Sequence, residues 1–232
     1  MMLKPWNQLP DNMRTDAVRP YYDVLKKRQG SLILKRIFDF LVSLILLLII
    51  WPVLIIIAIA VRLDSPGPAF FRQVRVTTYG RKFRMWKYRT MVVNAAQIGP
   101  QVTTDNDLRV TRIGKILRGV RLDELPQLIN ILTGDMSFVG TRPEVVKYVK
   151  AYKPEYYATL LLPAGVTSEA SIRYKHEYKL LSEAEDVDKV YIEEILPAKM
   201  VWNLESIERF RFLREILTMI WTVLAVLGKD YN

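Results

Sequence analysis

Cysteine is absent from the 232 residues, and histidine occurs once, at His176. Without cysteine there are no disulfides, no thiolate metal sites and no thiol nucleophile. One histidine excludes a multi-histidine metal centre. A Ser-His-Asp hydrolase would have to be built on Tyr174-Lys175-His176-Glu177, and no Gly-x-Ser-x-Gly elbow accompanies it. Internal repeats and low-complexity segments are missing too. Half of the residues are hydrophobic, which excludes a disordered polymer and provides for one compact domain with accessory segments.

The most informative absence is of charge: the 22 residues 40–61 carry none. As a straight helix they would reach roughly 33 Å, enough to cross a bilayer. The run begins too late, is too long and lacks a small-residue cleavage site, so a cleavable signal peptide is not expected. Around it the chain is strongly basic. Residues 1–36 hold eight Lys/Arg against three Asp, residues 62–121 hold thirteen against three, and the whole chain has a formal charge of +10. That excess calls for an anionic partner, whether nucleic acid, phospholipid headgroups or a phosphorylated small molecule. Basic flanks on both ends pull both toward the cytoplasm, which a simple span cannot satisfy. Pro52, near the middle of the run, lacks a backbone donor and would kink or break the helix. A re-entrant hairpin fits both facts; the alternative is a spanning helix with an ordinary proline kink.

Beyond the turn-rich Asp64-Ser65-Pro66-Gly67-Pro68, residues 69–91 read as two strands joined around Thr77 to Gly80. Their period of two puts Phe83, Met85, Lys87 and Arg89 on one face and Arg84, Trp86 and Tyr88 on the other. The hairpin is either a solvated basic surface near the bilayer or a phosphate-binding element using Lys87 or Arg89. Residues 111–119 predict a short helix. Leu125, Leu128, Ile129 and Leu132 then form the apolar stripe of a second, with Gly134 suited to its C-terminal cap and Pro126 in its first turn. Asp123 falls at the start of that helix, where an aspartate is ordinarily a cap. Residues 216–227 are uncharged but too few for an independent span, and suit a core or an interfacial helix.

Asp123 has a second reading. The positive end of a helix favours its ionised form, and an ionised carboxylate is a usable nucleophile toward phosphorus. Arg118, Arg121 and Arg142 lie near it in sequence and can neutralise phosphate. Adjacent Glu124 can help to hold Mg²⁺, which takes one or two carboxylates and completes its shell with water and phosphate.

Several separate motifs now agree. They are Lys35-Arg36-Ile37-Phe38-Asp39, the run from Gly67 to Arg75, Lys87-Tyr88-Arg89-Thr90-Met91, Leu117-Arg118, Leu122-Asp123-Glu124-Leu125-Pro126-Gln127-Leu128, and the run Gly134-Asp135-Met136-Ser137-Phe138-Val139-Gly140-Thr141-Arg142-Pro143-Glu144. In this order they resemble the bacterial sugar transferases, the monotopic polyprenyl-phosphate phosphoglycosyl transferases that begin capsule, O-antigen, exopolysaccharide and glycoprotein glycan assembly. The resemblance covers about residues 31 to 150, with a weaker echo to the C-terminus. It implies a mainly α fold with a small β-hairpin, in which a re-entrant membrane helix carries an interfacial α/β catalytic domain. The corresponding divisions are a basic segment 1–36, the membrane helix 37–62 with its break at Pro52, and the catalytic domain 63–232. It further implies that Asp123 attacks the sugar-linked phosphorus of a UDP-sugar, that UMP leaves, and that a polyprenyl phosphate, here expected to be undecaprenyl phosphate, takes up the phosphosugar. Asp123 and Glu124 become the catalytic and Mg²⁺-binding residues, and Lys87, Arg118 and Arg142 the phosphate contacts. Membrane lipids are expected partners at the cytoplasmic face of a bacterial inner membrane, a homo-oligomer is compatible with the sequence, and nucleic acid is not an expected partner.

The chain departs from the family pattern in four places. The usual Ser-Pro of the membrane helix is Trp51-Pro52, and the usual Pro-Arg-Pro is Thr141-Arg142-Pro143. The Arg-Pro-Gly-Ile-Thr-Gly loop is replaced by Leu162-Pro163-Ala164-Gly165-Val166-Thr167, and a frequent aspartate near the last helix by Asn203. The departures at Trp51, Ala164 and Asn203 favour the rival reading of an inactive membrane-anchored scaffold. The retained Asp123, Glu124, Arg118 and Arg142 oppose it. A nucleic-acid binder using the basic hairpin is the third reading, and the membrane segment opposes that one.

Overall fold

A computed structural model describes residues 2–95, 107–174, 181, 186–226 and 228; His176 lies outside the described residues. After two short 3₁₀ turns come helix α1 (Arg19–Lys26) and the long helix α2 (Gln29–Asp64). Helix α2 continues across Pro52 without ending there, although Pro52 has no N–H for the carbonyl four residues back. The helix is long and apolar enough to cross a membrane. One side of it faces no protein: Ile45, Leu48, Ile49, Ile56 and Leu63 are among its exposed residues. The opposite side touches the rest of the chain along its whole length. Leu32 packs in the main core, Leu46, Leu47 and Ile50 against a second cluster, and Leu54, Ile57, Ala58 and Val61 against a third.

Strands β1 (Phe70–Val76) and β2 (Lys82–Tyr88) form an antiparallel hairpin in which Phe70 pairs with Tyr88 and Val76 with Lys82. The turn at Thr78–Gly80 places Tyr79 and Gly80 at positive φ. Helix α3 (Arg112–Gly119) follows, its first turn capped by Thr111 Oγ1 on the Gly114 N–H (3.0 Å) and by Asp64 on the Ile113 N–H (3.0 Å). Helix α4 (Gln127–Thr133) ends on Gly134 at φ 86°, as its position past the last apolar residue predicted.

A second sheet was not foreseen. Strand β3 (Met136–Val139) runs parallel to β4 (Ala164–Thr167), with Met136 opposite Ala164 and Val139 opposite Thr167. The crossover between them carries α5 (Val146–Val149) and a 3₁₀ run, Pro154–Leu161. Just past β3 the backbones nearly touch, since a Cβ on Gly165 would lie 2.2 Å from the nitrogen and oxygen of Gly140. Helix α6 (Glu169–Arg173) leaves β4. Helix α7 (Val187–Val190) then widens into a π turn, Tyr191–Ile195, and continues as α8 (Leu196–Glu208).

The last helix, α9 (Phe212–Val226), buries only Thr218 and exposes Leu213, Leu217, Ile220 and Val223. Of the two readings of residues 216–227, the core helix is therefore excluded. The basic N-terminal segment is packed into the principal core, where Leu9, Met13, Val18, Tyr22 and Leu25 meet Leu161, Leu196 and Met200.

Candidate active site

Three elements converge on Leu122-Asp123-Glu124. Strand β2 delivers Lys87, the last turn of α3 delivers Arg118, and the exit of β3 delivers Arg142. The Leu122–Glu124 segment is a 3₁₀ turn entered through Arg121 at φ 56°, a left-handed conformation that costs a non-glycine residue about 1 kcal/mol or more. This reversal lets the chain leave α3 and present Asp123 inward. Asp123 is buried and caps neither element: the turn is capped by Arg121 and α4 by Pro126, both without a side-chain bond. The capping reading of Asp123 therefore has no support. The turn also shifts the helical phase, so the fully buried positions of α4 are Gln127, Leu128, Asn130 and Ile131, while Ile129 and Leu132 of the predicted stripe are half-buried.

Glu124 Oε1 accepts from both Lys87 Nζ (2.7 Å) and Arg142 Nη2 (2.8 Å). Burial alone would raise the Glu124 pKa, but Arg142 and Lys87, through charge and hydrogen bonds, hold this carboxyl well below the usual range. Lys87 is depressed by burial, against the opposing pull of Glu124, and Arg142 adds to the depression. Asp123 moves the other way: burial raises it, Glu124 raises it further, and Lys87 and Arg118 offset only part of this. Desolvation and a like charge next door thus oppose the helix-end argument for a more readily ionised aspartate.

Sequence reasoning placed Asp123, Glu124, Lys87 and Arg142 in one site, and the structure brings them together. Arg118 acts on Asp123 through its charge. Pro52 lies apart, within α2. Arg121 is exposed and serves the turn through its backbone. Arg89 is no phosphate ligand: it is buried and donates to the carbonyls of Val61 (3.3 Å), Ser65 (2.7 Å) and Pro66, closing the end of α2. Nor do Lys35 and Arg36 reach toward headgroups. Lys35 is buried against Val139 O (2.8 Å) and Glu215, while Arg36 caps α4 through Ile131 O (2.7 Å) and Leu132 O (2.8 Å). Asp39 completes this attachment by accepting from Ser137 Oγ (2.7 Å) and the Phe138 N–H (3.2 Å).

The profile of the family described as Bacterial sugar transferase matches residues 30–229. The chain belongs to this family. It is 39% identical over 191 residues to the UDP-glucose:undecaprenyl-phosphate glucose-1-phosphate transferase of Escherichia coli (strain K12), covering 79% of this chain and 41% of that protein. It is 34% identical over 197 residues to the UDP-N-acetylgalactosamine-undecaprenyl-phosphate N-acetylgalactosaminephosphotransferase of Aeromonas hydrophila, covering 84% and 44%. A UDP-glucose:undecaprenyl-phosphate glucose-1-phosphate transferase of Caulobacter vibrioides is 36% identical over 201 residues, covering 84% and 70%. The chain thus spans about two fifths of the length of the first two relatives and more of the third.

For a member of this family the metal question is specific. Among the described residues no group of three or more Asp, Glu or His side chains could cage an ion. Both cations on Glu124 bond its Oε1, and the carboxylates of Glu124 and Asp123 are the donors at hand. Two carboxylates suit Mg²⁺ that arrives with phosphate oxygens, so the donor set fits a substrate-borne ion.

Two residues escaped sequence reasoning. Half-buried Arg75 holds the turn that carries Arg142, donating to Pro143 O (3.1 Å), and its alternation with Gln73 along β1 was the available signal. Gln127, four residues after Asp123, is 2% exposed and gave no signal beyond its place in the motif.

Proposed function

We propose that the chain transfers a sugar phosphate from a UDP-sugar to a polyprenyl phosphate, with undecaprenyl phosphate the natural acceptor, as the first membrane step of polysaccharide or glycoconjugate assembly. The observation that carries this reading is the buried Asp123 beside a Glu124 neutralised by Lys87 and Arg142, in a chain whose relatives bear names of that activity.

In the first step an Asp123 carboxylate oxygen attacks the sugar-linked phosphorus. The bond to the UMP oxygen breaks, and its electron pair leaves with UMP. The aspartyl phosphosugar is then attacked at the same phosphorus by an oxygen of the polyprenyl phosphate, which restores the carboxylate and gives polyprenyl-diphosphate-sugar. One phosphoanhydride replaces another, so positioning and charge stabilisation carry the catalysis. Mg²⁺, when bound by Asp123 and Glu124, supplies neutralisation of diphosphate charge. Lys87 and Arg142, already turned toward Glu124, can share phosphate oxygens with it, and Arg118 adds positive potential at Asp123.

The lipid acceptor requires a site at a membrane surface. The exposed apolar sides of α2 and α9 support such a location, as do the exposed Lys26, Lys27 and Arg62 on either side of the apolar run of α2. Because one domain grips α2 from Lys35 to Val61, we read its path as entering and leaving on one side, with the domain at the cytoplasmic face of the inner membrane.

UMP release from UDP-glucose or UDP-N-acetylgalactosamine by the membrane-embedded protein tests the reading. Activity in the wild type and none in Asp123→Asn is expected. UMP release by the variant at the wild-type rate would refute Asp123 as nucleophile.

A further inference from the structure

Gln127 carries a feature that the fold does not explain. Its side chain is 2% exposed, and its Nε2 is buried without a hydrogen-bond partner. A carboxamide nitrogen has two donors to satisfy, and burying it unpaired costs stability that a leucine or methionine of similar volume would not cost. The other buried unpartnered side-chain atoms among the described residues belong to Thr15, Ser65, Arg75 and Arg89, and the two arginines bond through their other nitrogens. Gln127 alone combines an unpaired amide with a place beside the candidate nucleophile.

That place is bracketed by contacts on either side. Three residues after Gln127, Asn130 accepts from the Trp86 N–H (2.9 Å) and donates to Arg84 O (3.1 Å), fastening α4 to the free edge of β2. Three residues before it, Glu124 accepts from Lys87 (2.7 Å). Residues three apart share a face here, because the Leu122–Glu124 turn is 3₁₀ and the Leu128 and Ile129 N–H groups still bond three residues back. Gln127 therefore lies on the face between the Asn130 lock and the Glu124–Lys87 pair. Asp123, four positions before it, borders the same face.

We propose that the Gln127 amide is a neutral donor for a non-bridging oxygen of the phosphate that the substrate brings to Asp123. This assignment rests on the phosphoryl-transfer reading above. The described residues provide no acceptor for this nitrogen, and a phosphate seated among Asp123, Lys87 and Arg142 provides several. A neutral donor suits the position, since Glu124 already gathers two cations and a third buried charge would be costly. The amide can serve the UDP-sugar and the aspartyl phosphosugar alike, because the oxygens on that phosphorus persist through the exchange.

The test compares wild type, Gln127→Met and Gln127→Glu in nanodiscs, measuring the thermal midpoint without substrate and the single-turnover rate of UMP release from UDP-glucose and UDP-N-acetylgalactosamine. Gln127→Met is expected to keep or raise the midpoint while slowing UMP release by about 10- to 100-fold. Gln127→Glu, which replaces the donor with an acceptor of the same size, is expected to be slower still. Gln127→Met at the wild-type rate overturns the assignment and leaves the phosphoryl-transfer reading standing. A midpoint and a rate that fall together in Gln127→Met give the amide a structural role and overturn it too. A wild type that releases UMP from neither nucleotide sugar removes the reading on which the assignment rests.

Discussion

Glu124 holds two cations on one oxygen, and this sets what its replacement does. In Glu124→Gln the Lys87 ammonium stays buried without its partner, so a loss of about 3 kcal/mol in unfolding free energy is expected, read from denaturant unfolding. The pH dependence has a definite sign. Glu124 is depressed in the folded state, so its contribution is present above its ordinary value of 4.5 and is lost as pH falls through the lower folded value. Asp123 is raised above 3.8, so an activity that needs its carboxylate should fail on the acid side at a pH above that ordinary value. Lys87→Met removes the cation that most opposes this rise, and the acid limb of any residual UMP release should then move to higher pH. An unmoved limb would separate Asp123 from the titration. At this scale the sequence brought Lys87, Asp123, Glu124 and Arg142 forward, because they sit in recognisable motifs, and the structure places them side by side. It did not reveal which cations were already committed, since a sequence displays the charge of Lys35, Arg36 and Arg89 and hides the carbonyls that they satisfy. The left-handed Arg121 was equally hidden, as no glycine marks it.

Elements meet at two places where substitution is informative. Arg89 fills the end of α2, and in Arg89→Met the carbonyls of Val61, Ser65 and Pro66 lose a charged donor. A destabilisation of about 3 kcal/mol is expected, visible as a lower unfolding midpoint in nanodiscs with the substrate affinity unchanged. Gly165→Ala forces a Cβ to within 2.2 Å of Gly140, which must push the β3 exit and with it Arg142. Overpacking of this kind costs about 1–3 kcal/mol, and a rise in KM for the UDP-sugar should accompany the stability loss. The hairpin was legible from its period of two and from the Thr77–Gly80 turn. Helices α3 and α4 were legible from their caps and stripes, although the 3₁₀ turn rotated the buried face of α4. The β3–β4 pair was not legible: each strand has four residues, and a parallel partner reached through a crossover leaves no local pattern.

For the molecule as a whole, α2 is the defining element, and the domain holds both its ends: Lys35, Arg36 and Asp39 at one and Tyr88, Arg89 and Ile113 at the other. A helix crossing the bilayer would put these attachments on opposite faces. The absence of cysteine makes a direct check simple. Asp16→Cys and Leu108→Cys, both at exposed positions flanking α2, should react with an impermeant maleimide from the same side of sealed vesicles, and reaction from opposite sides would establish a span. Membrane placement, site and acceptor together serve one claim, that Asp123 carries the sugar phosphate covalently. Intact-protein mass spectrometry after incubation with UDP-glucose or UDP-N-acetylgalactosamine, without lipid acceptor, measures it directly. One of the two nucleotide sugars should add one sugar-phosphate mass to the wild type and nothing to Asp123→Asn, and added polyprenyl phosphate should remove the increment. Product formed from UDP-sugar and lipid with no adduct at any time, or an adduct that persists in Asp123→Asn, would contradict it.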